Sequence, residues 1–110
     1  MTLELNISER LFALTSLNAF KGNLDTLAYI LEDIKQFVVS DEEWVKAEKT
    51  EEKNGDQFII RWDDEKGGLK SIELNKETAK YLKDEIKKKS DSGELTLNDK
   101  AVVTLMTKLQ

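Results

Sequence analysis

Apolar residues in the first third of the chain recur with alternating gaps of four and three positions. At that spacing they fall on one face of an α-helix, so residues 8–39 are predicted to be helical. Further apolar side chains between these positions widen the face, which must therefore find much apolar surface to pack against. The recurring residues are Ala13, Leu17, Phe20, Leu24, Leu27, Leu31, Ile34 and Val38.

Two structures fit this pattern. One is a single helix of about thirty residues, which would be about 45 Å long. The other is a helical hairpin over residues 8–39, broken at Lys21-Gly22-Asn23, where Gly22 ends the first helix and Asn23 caps the second. We favour the hairpin, because a long solitary helix would leave too little of the chain to cover its apolar face. Ser8 is the expected N-cap of the first helix.

Residues 41–74 are expected to form a short helix followed by a β-hairpin. Ser40 precedes three acidic residues, which is typical of an N-cap with an acidic first turn. Apolar residues alternate over 58–62 and again over 72–74, as they do in strands with one buried face. We expect these two strands to pair with each other across the charged, glycine-containing connection 63–68.

A wholly polar run, residues 48–53, lies between the short helix and the first of these strands. It is expected to be a loop or a frayed edge strand. Asn54-Gly55 follows it and is a strong turn signal.

The last third of the chain predicts two helices within residues 76–109. The first carries the apolar stripe Ala79, Leu82 and Ile86 and ends in three lysines, which suit the negative end of the helix dipole. The whole chain is therefore predicted to be one domain, residues 1–110, of the α+β class. It is expected to be mostly helical, with four or five helices packed around a small antiparallel β-hairpin.

The composition removes several classes of chemistry. The chain has 110 residues, of which 35% are charged, and it contains no cysteine and no histidine. Without cysteine, disulfides and thiolate metal ligands are excluded. Without histidine, the chain lacks the commonest general base and the commonest metal ligand. No apolar run reaches the length of a membrane span, and no basic segment followed by an apolar one begins the chain. We expect a non-enzymatic protein with no cofactor, no metal site and no membrane association.

Six acidic residues form two clusters in the middle of the chain. Carboxylate oxygens suit Mg²⁺ or Ca²⁺, but the ligand spacing of a calcium loop is missing. We therefore treat them as acidic surface candidates, and a carboxylate hydrolase using a divalent cation is the least favoured alternative. Residues 41–75 hold eleven acidic and six basic side chains, which argues against direct nucleic-acid binding. The six candidates are Asp41, Glu42, Glu43, Asp63, Asp64 and Glu65.

The apolar surface of the first third exceeds what one helical face requires. Either it forms the core of a monomer, or part of it closes a homo-oligomer, for which two-fold symmetry is the usual outcome. We expect self-association, most simply as a homodimer, or contact with another protein. Trp44 joins the candidates because tryptophan often anchors interfaces. The candidate interface residues are Leu17, Phe20, Leu24, Leu27, Leu31, Ile34, Val38 and Trp44.

Several short motifs also follow one another in a particular order. They are Glu9-Arg10-Leu11, a Gly-Asn break followed by Leu24, Thr26 and Leu27, then Ser40-Asp41-Glu42-Glu43, a strand ending at Trp62, and Gly93-Glu94-Leu95-Thr96. This order resembles a loosely defined group of small phage- and prophage-encoded accessory proteins of unassigned activity. The resemblance implies a phage-derived, virion-associated or accessory protein, located in the cytoplasm of a bacterial host or on the virion. It supplies no catalytic residues.

We therefore expect a protein–protein interaction domain that self-associates. The alternative is an acidic inhibitor that mimics nucleic acid, in which the carboxylates of residues 41–65 stand in for phosphates. Such an inhibitor would block a basic site on a host defence or transcription protein. Complementary charge would make its binding fast and sensitive to salt.

Overall fold

Two small antiparallel sheets and six helices build the chain, which has the mostly helical α+β fold that the sequence predicts. The computed structural model describes residues 1–110. The strands are β1 (Thr2–Leu5), β2 (Thr50–Asn54), β3 (Gln57–Arg61) and β4 (Lys70–Glu73). The helices are α1 (Ile7–Asn18), α2 (Leu24–Asp33), α3 (Asp41–Lys46), the single turn α4 (Asp64–Gly67), α5 (Lys76–Asp91) and α6 (Lys100–Leu109), with a 3₁₀ turn at Ile34–Phe37 after α2. None of the helices is long and apolar enough to cross a membrane.

The first sheet pairs the N-terminal strand β1 with β4. Leu3 lies opposite Ile72, and the inward-facing Leu3, Leu5 and Ile72 are all buried. The Leu74 N–H extends the pairing by donating to the Met1 carbonyl over 2.8 Å. β1 is not predicted from the sequence, because four residues with two apolar positions give too little alternation to separate a strand from a loop.

Helices α1, α5 and α6 pack on one another, and α6 also packs on β1. Helix α2 lies at the side of this group, packs on α5, and contributes one residue, Ile30, to the core. The core consists of Leu3, Leu5, Ala13, Leu17, Ile30, Phe37, Ile72, Leu74, Ala79, Leu82, Ile86, Val102, Leu105 and Leu109.

The chain leaves helical conformation after Asn18 and re-enters it at Leu24, so the predicted break is present. It begins at Ala19, the C-cap of α1, and Gly22 does not end the first helix as expected. The side-chain oxygen of Asn23 accepts a hydrogen bond of 2.9 Å from the Thr26 N–H and so caps α2. The two helices pack mainly on α5, α6 and the 3₁₀ turn rather than on each other. The break therefore separates the leucines of α1 from those of α2.

The first helix begins at Ile7, and its N-cap is Asn6 rather than the expected Ser8. The Asn6 side chain accepts from the Glu9 N–H and the Glu9 carboxylate accepts from the Asn6 N–H, each over 2.9 Å. This reciprocal capping box satisfies two backbone donors that the helix itself leaves free. Ser8 donates instead to the Asp64 carboxylate from both its N–H and its hydroxyl, which ties the start of α1 to α4.

The predicted pairing of residues 58–62 with 72–74 is wrong. β3 pairs with β2 in a hairpin closed by a two-residue loop, and β4 pairs with β1. The loop begins at Gly55, whose φ of +66° is readily adopted by glycine. Because a two-residue loop joins adjacent strands at a small entropic cost, this local pairing outweighs the polar character of β2. The polar run 48–53 thus supplies most of a strand, and the one-turn helix α4 lies within the expected connection 63–68.

Replacing Leu5 with alanine is expected to lower the free energy of unfolding by about 3 kcal/mol, because the side chain is fully buried and its loss leaves a cavity. Leu97→Ala is the control. Leu97 is 93% exposed, so its replacement is expected to change stability by less than about 0.5 kcal/mol. Urea denaturation followed by circular dichroism measures both variants. Equal stability of wild type and Leu5→Ala would contradict the place of β1 in the core.

Candidate interaction surface

The eight candidate interface residues do not share one surface. Leu17 is buried in the core, and Phe20 and Ile34 are half-buried against it. Trp44 is half-buried and packs edge-to-face on Trp62. The candidates that face solvent are Leu24, Leu27, Leu31 and Val38.

Helix α2 carries three of these exposed leucines on one face. Leu24, Leu27 and Leu31 are 77%, 37% and 58% exposed, and positions i, i+3 and i+7 lie along one side of a helix. Ala28 belongs to the same side and is also exposed. We call these four residues the leucine face. A group of exposed apolar side chains on a folded domain is typical of an interaction surface.

Another side of α2 is fixed to the body of the protein. Ile30 is buried, and the Asp33 carboxylate accepts hydrogen bonds of 3.0 Å from both the backbone N–H and the side-chain amide of Asn75. In the following turn, the Gln36 side-chain amide donates to the Glu73 carbonyl and its oxygen accepts from the Glu73 N–H, over 2.7 and 2.9 Å. The leucine face is therefore held by a fixed helix, which lowers the entropy lost on binding.

Two of the six acidic candidates make internal contacts around α4. The Asp63 side chain caps α4 by accepting from the Lys66 N–H over 3.2 Å. The Asp64 carboxylate accepts from the Ser8 N–H over 3.0 Å and from the Trp62 indole N–H over 2.9 Å. The candidates that are exposed are Asp41, Glu42 and Glu65.

Glu43 is the third of the acidic candidates that makes internal contacts. Its carboxylate forms an ion pair with the guanidinium of Arg10, a side chain that is fully buried. It also accepts hydrogen bonds from the N–H and hydroxyl of Ser40 in the capping box of α3. The hydrogen bond from Arg10, with smaller help from Ser40, outweighs desolvation and lowers the pKa of Glu43 from 4.5 to about 2. Glu43 thus joins α3 to α1.

A second ion pair joins the two ends of the chain. Lys108 Nζ lies 2.7 Å from Glu9 Oε1, and the Glu9 side chain is fully buried. The same oxygen accepts the capping hydrogen bond from Asn6. The end of α6 is therefore held on the first turn of α1.

The β2–β3 hairpin is an exposed feature that was not predicted from the sequence. Every residue of its two strands is exposed except Ile59, which is half-buried. Phe58 and Ile60, which the sequence assigns to a buried strand face, are 60% and 42% exposed. Alternation identifies the two faces of a strand without showing whether a helix covers either one. The two apolar side chains are therefore a second candidate surface.

The base of this hairpin is firmly attached. Trp62, which follows β3, packs on Trp44 with ring centroids 5.5 Å apart and planes at 71°. The ammonium of Lys49 lies 4.8 Å from the centroid of the Trp44 ring, a cation–π contact. The Asp63 N–H donates to the Ala47 carbonyl over 2.8 Å. These contacts fix the direction in which the hairpin projects.

No group of three or more acidic side chains is arranged to hold a metal ion. Comparison of the chain with protein-family models, with curated proteins and with solved structures finds no match. The two exposed apolar surfaces are therefore the features of the molecule that bear on its function.

Glu43→Gln is expected to lower the free energy of unfolding by about 3 kcal/mol at neutral pH, because the buried guanidinium of Arg10 loses its counter-charge. Glu42→Gln makes the same chemical change at an exposed neighbour and is expected to have an effect below about 0.5 kcal/mol. Urea denaturation compares the two. Similar losses in both variants would contradict a structural role for Glu43.

Stability is also expected to depend on the ionisation of Glu43. Because folding lowers its pKa from 4.5 to about 2, the stabilisation is complete above the unfolded value and is lost as the pH falls through the folded one. Wild type should therefore lose more stability on acidification over this range than Glu43→Gln does. Urea midpoints measured across the acid range test this, and parallel pH profiles of the two proteins would contradict it.

Proposed function

We propose that the protein is a non-enzymatic protein–protein interaction domain that self-associates through the leucine face of α2. The observation that carries the proposal is the exposure of Leu24, Leu27 and Leu31 along one side of a helix whose other contacts fix it to the core. Two copies related by a two-fold axis would bury these leucines against each other. Ala28, in the middle of the face, allows the two helices to approach closely.

The exposed area sets the expected strength of association. The three leucines together expose less than the area of two whole leucine side chains per copy, so a two-fold contact gains at most about 10 kcal/mol from their burial. Association costs about 4–15 kcal/mol in lost translational and rotational freedom. We therefore expect a weak dimer through this face, with a Kd no tighter than about tens of micromolar.

The acidic-inhibitor alternative receives less support from the structure. Glu43, Asp63 and Asp64 make internal contacts, so three of the ten carboxylates within residues 41–65 are not free to stand in for phosphates. The accessory or virion-associated role, in the bacterial cytoplasm or on a virion, stays a prediction from the order of motifs.

The double change Leu24→Lys with Leu31→Lys is expected to abolish association through α2, because it puts like charges on both sides of the contact. Lysine is a good helix former, so α2 itself should be retained. Sedimentation equilibrium over rising protein concentration measures the mass. The average molecular mass of wild type is expected to rise with protein concentration, and that of the variant is expected to rise less.

The matched control is Leu69→Lys with Leu97→Lys, which adds the same charge at leucines that are 60% and 93% exposed outside α2. Its association is expected to follow that of wild type. A wild-type protein that stays monomeric at millimolar concentration would overturn the proposal. A control variant whose average mass falls below that of wild type as far as the α2 variant's does would also overturn it.

A further inference from the structure

We propose that β3 is a second self-association site, at which β3 of one copy pairs antiparallel with β3 of another and joins two β2–β3 hairpins into one four-stranded sheet. The partner is thus a second copy of this chain. The contact lies on a different surface from the leucine face and does not depend on it.

The two free edges of the hairpin differ in charge. β2 carries Glu51, Glu52 and Lys53 along its length, whereas β3 has no charged residue from Gln57 to Ile60. Charged side chains on an edge strand are a common protection against pairing with another chain. β2 is protected in this way along its length, whereas β3 carries one charge, Arg61, at its end. The open edge of β3 is therefore the one better suited to a further strand.

The turn determines which backbone groups point to that edge. Gln57 closes the two-residue loop opposite Asn54, so its N–H faces β2, as in a hydrogen-bonded β-turn. Backbone groups alternate along an antiparallel strand, and those of Phe58 and Ile60 therefore point away from β2. These two residues offer two N–H donors and two carbonyl acceptors to a neighbouring strand.

The sequence of β3 is self-complementary in antiparallel register. Pairing centred on Ile59 places Phe58 opposite Ile60 of the second copy and Gln57 opposite Arg61 of the second copy. Both outward-pointing residues then form hydrogen-bonded pairs, apolar side chains face each other, and no like charges meet. The corresponding pairing of β2 would place Glu52 opposite itself, which is destabilising.

The low stability expected of a two-stranded hairpin, and its exposed apolar side chains, also favour pairing with a second copy of the chain. Two strands alone are marginally stable in water, and Phe58 and Ile60 are 60% and 42% exposed in the single copy. A four-stranded sheet would bring these side chains together with their equivalents on one face. Because the contacts of Trp62 and Trp44 hold the hairpin base, little order has to be gained on pairing.

Proline at the free edge tests the pairing directly. Ile60→Pro removes an N–H that points away from β2, and Glu51→Pro makes the same change at the directly opposite residue, on the other free edge. Both are made in the Leu24→Lys, Leu31→Lys protein, so that contacts through α2 do not contribute. In that background sedimentation is expected to show a dimer. Ile60→Pro is expected to halve the mass, and Glu51→Pro is expected to leave it unchanged.

A second pair of variants covers the case in which proline disturbs the hairpin itself. Ile60→Lys and Glu51→Lys keep every N–H, and only the first puts a charge on the β3 edge. Ile60→Lys is expected to halve the mass and Glu51→Lys to leave it unchanged. Hydrogen exchange adds a local readout: the amides of Phe58 and Ile60 should exchange more slowly at high protein concentration, and those of Glu51 and Lys53 should not.

A monomeric Leu24→Lys, Leu31→Lys protein at millimolar concentration would overturn the β3 contact, as would equal masses of Ile60→Lys and Glu51→Lys. Failure of the leucine face has a different signature. In that case wild type and the α2 variant have the same mass, while Ile60→Lys still halves it. If both contacts form, wild type assembles beyond the dimer, and each set of changes alone reduces it to a dimer.

Discussion

The pairing of β1 with β4 is the constraint on which the rest of the fold depends. It brings the first five residues of the chain against residues 70–74 and places Leu3 and Leu5 in the core beside Ile72. Helices α1, α5 and α6 complete that core, and α2 adds Ile30 to it. Because the interior is already filled by these elements, the leucines on the far side of α2 have no place in it and stay exposed.

Two ion pairs, each with one fully buried side chain, then specify how the outer elements are arranged. Removing a charge from water is costly unless it is paired, so the buried guanidinium of Arg10 requires Glu43 and thereby fixes α3. The next residue, Trp44, meets Trp62 at the base of the β2–β3 hairpin. The direction of an exposed hairpin is thus connected, through one aromatic contact, to a charge buried in the first helix. The pair of Glu9 with Lys108 fixes α6 in the same way.

The helical part of the fold was predictable because its signals are local. Apolar spacing located α1, α2, α5 and α6, and the Lys21-Gly22-Asn23 segment marked the break between the first two. The spacing continues unchanged through that break, however, although the chain is not helical there. Leu17 and Leu24 follow one pattern in the sequence, yet one is buried and the other is 77% exposed. The pattern alone could not assign them to different surfaces.

The sheets and the acidic residues were harder to predict because their partners are distant or unexpected. β1 pairs with a strand nearly seventy residues away, and β2 has no apolar residue to identify it. Asn54-Gly55 was the signal that could have located the true hairpin, since it marks the end of β2 and the start of the two-residue loop before β3. The contact of Glu43 with Arg10 is likewise invisible in the sequence, where Glu43 is one of three consecutive acids.

The central claim is that the leucine face of α2 is a contact surface between copies of this chain. Methyl NMR spectra recorded from micromolar to millimolar protein test it most directly, because each leucine reports its own surroundings. We expect the methyl signals of Leu24, Leu27 and Leu31 to shift with concentration while those of the buried Leu5 stay constant. Signals of the three α2 leucines that stay constant over the whole range would contradict the account.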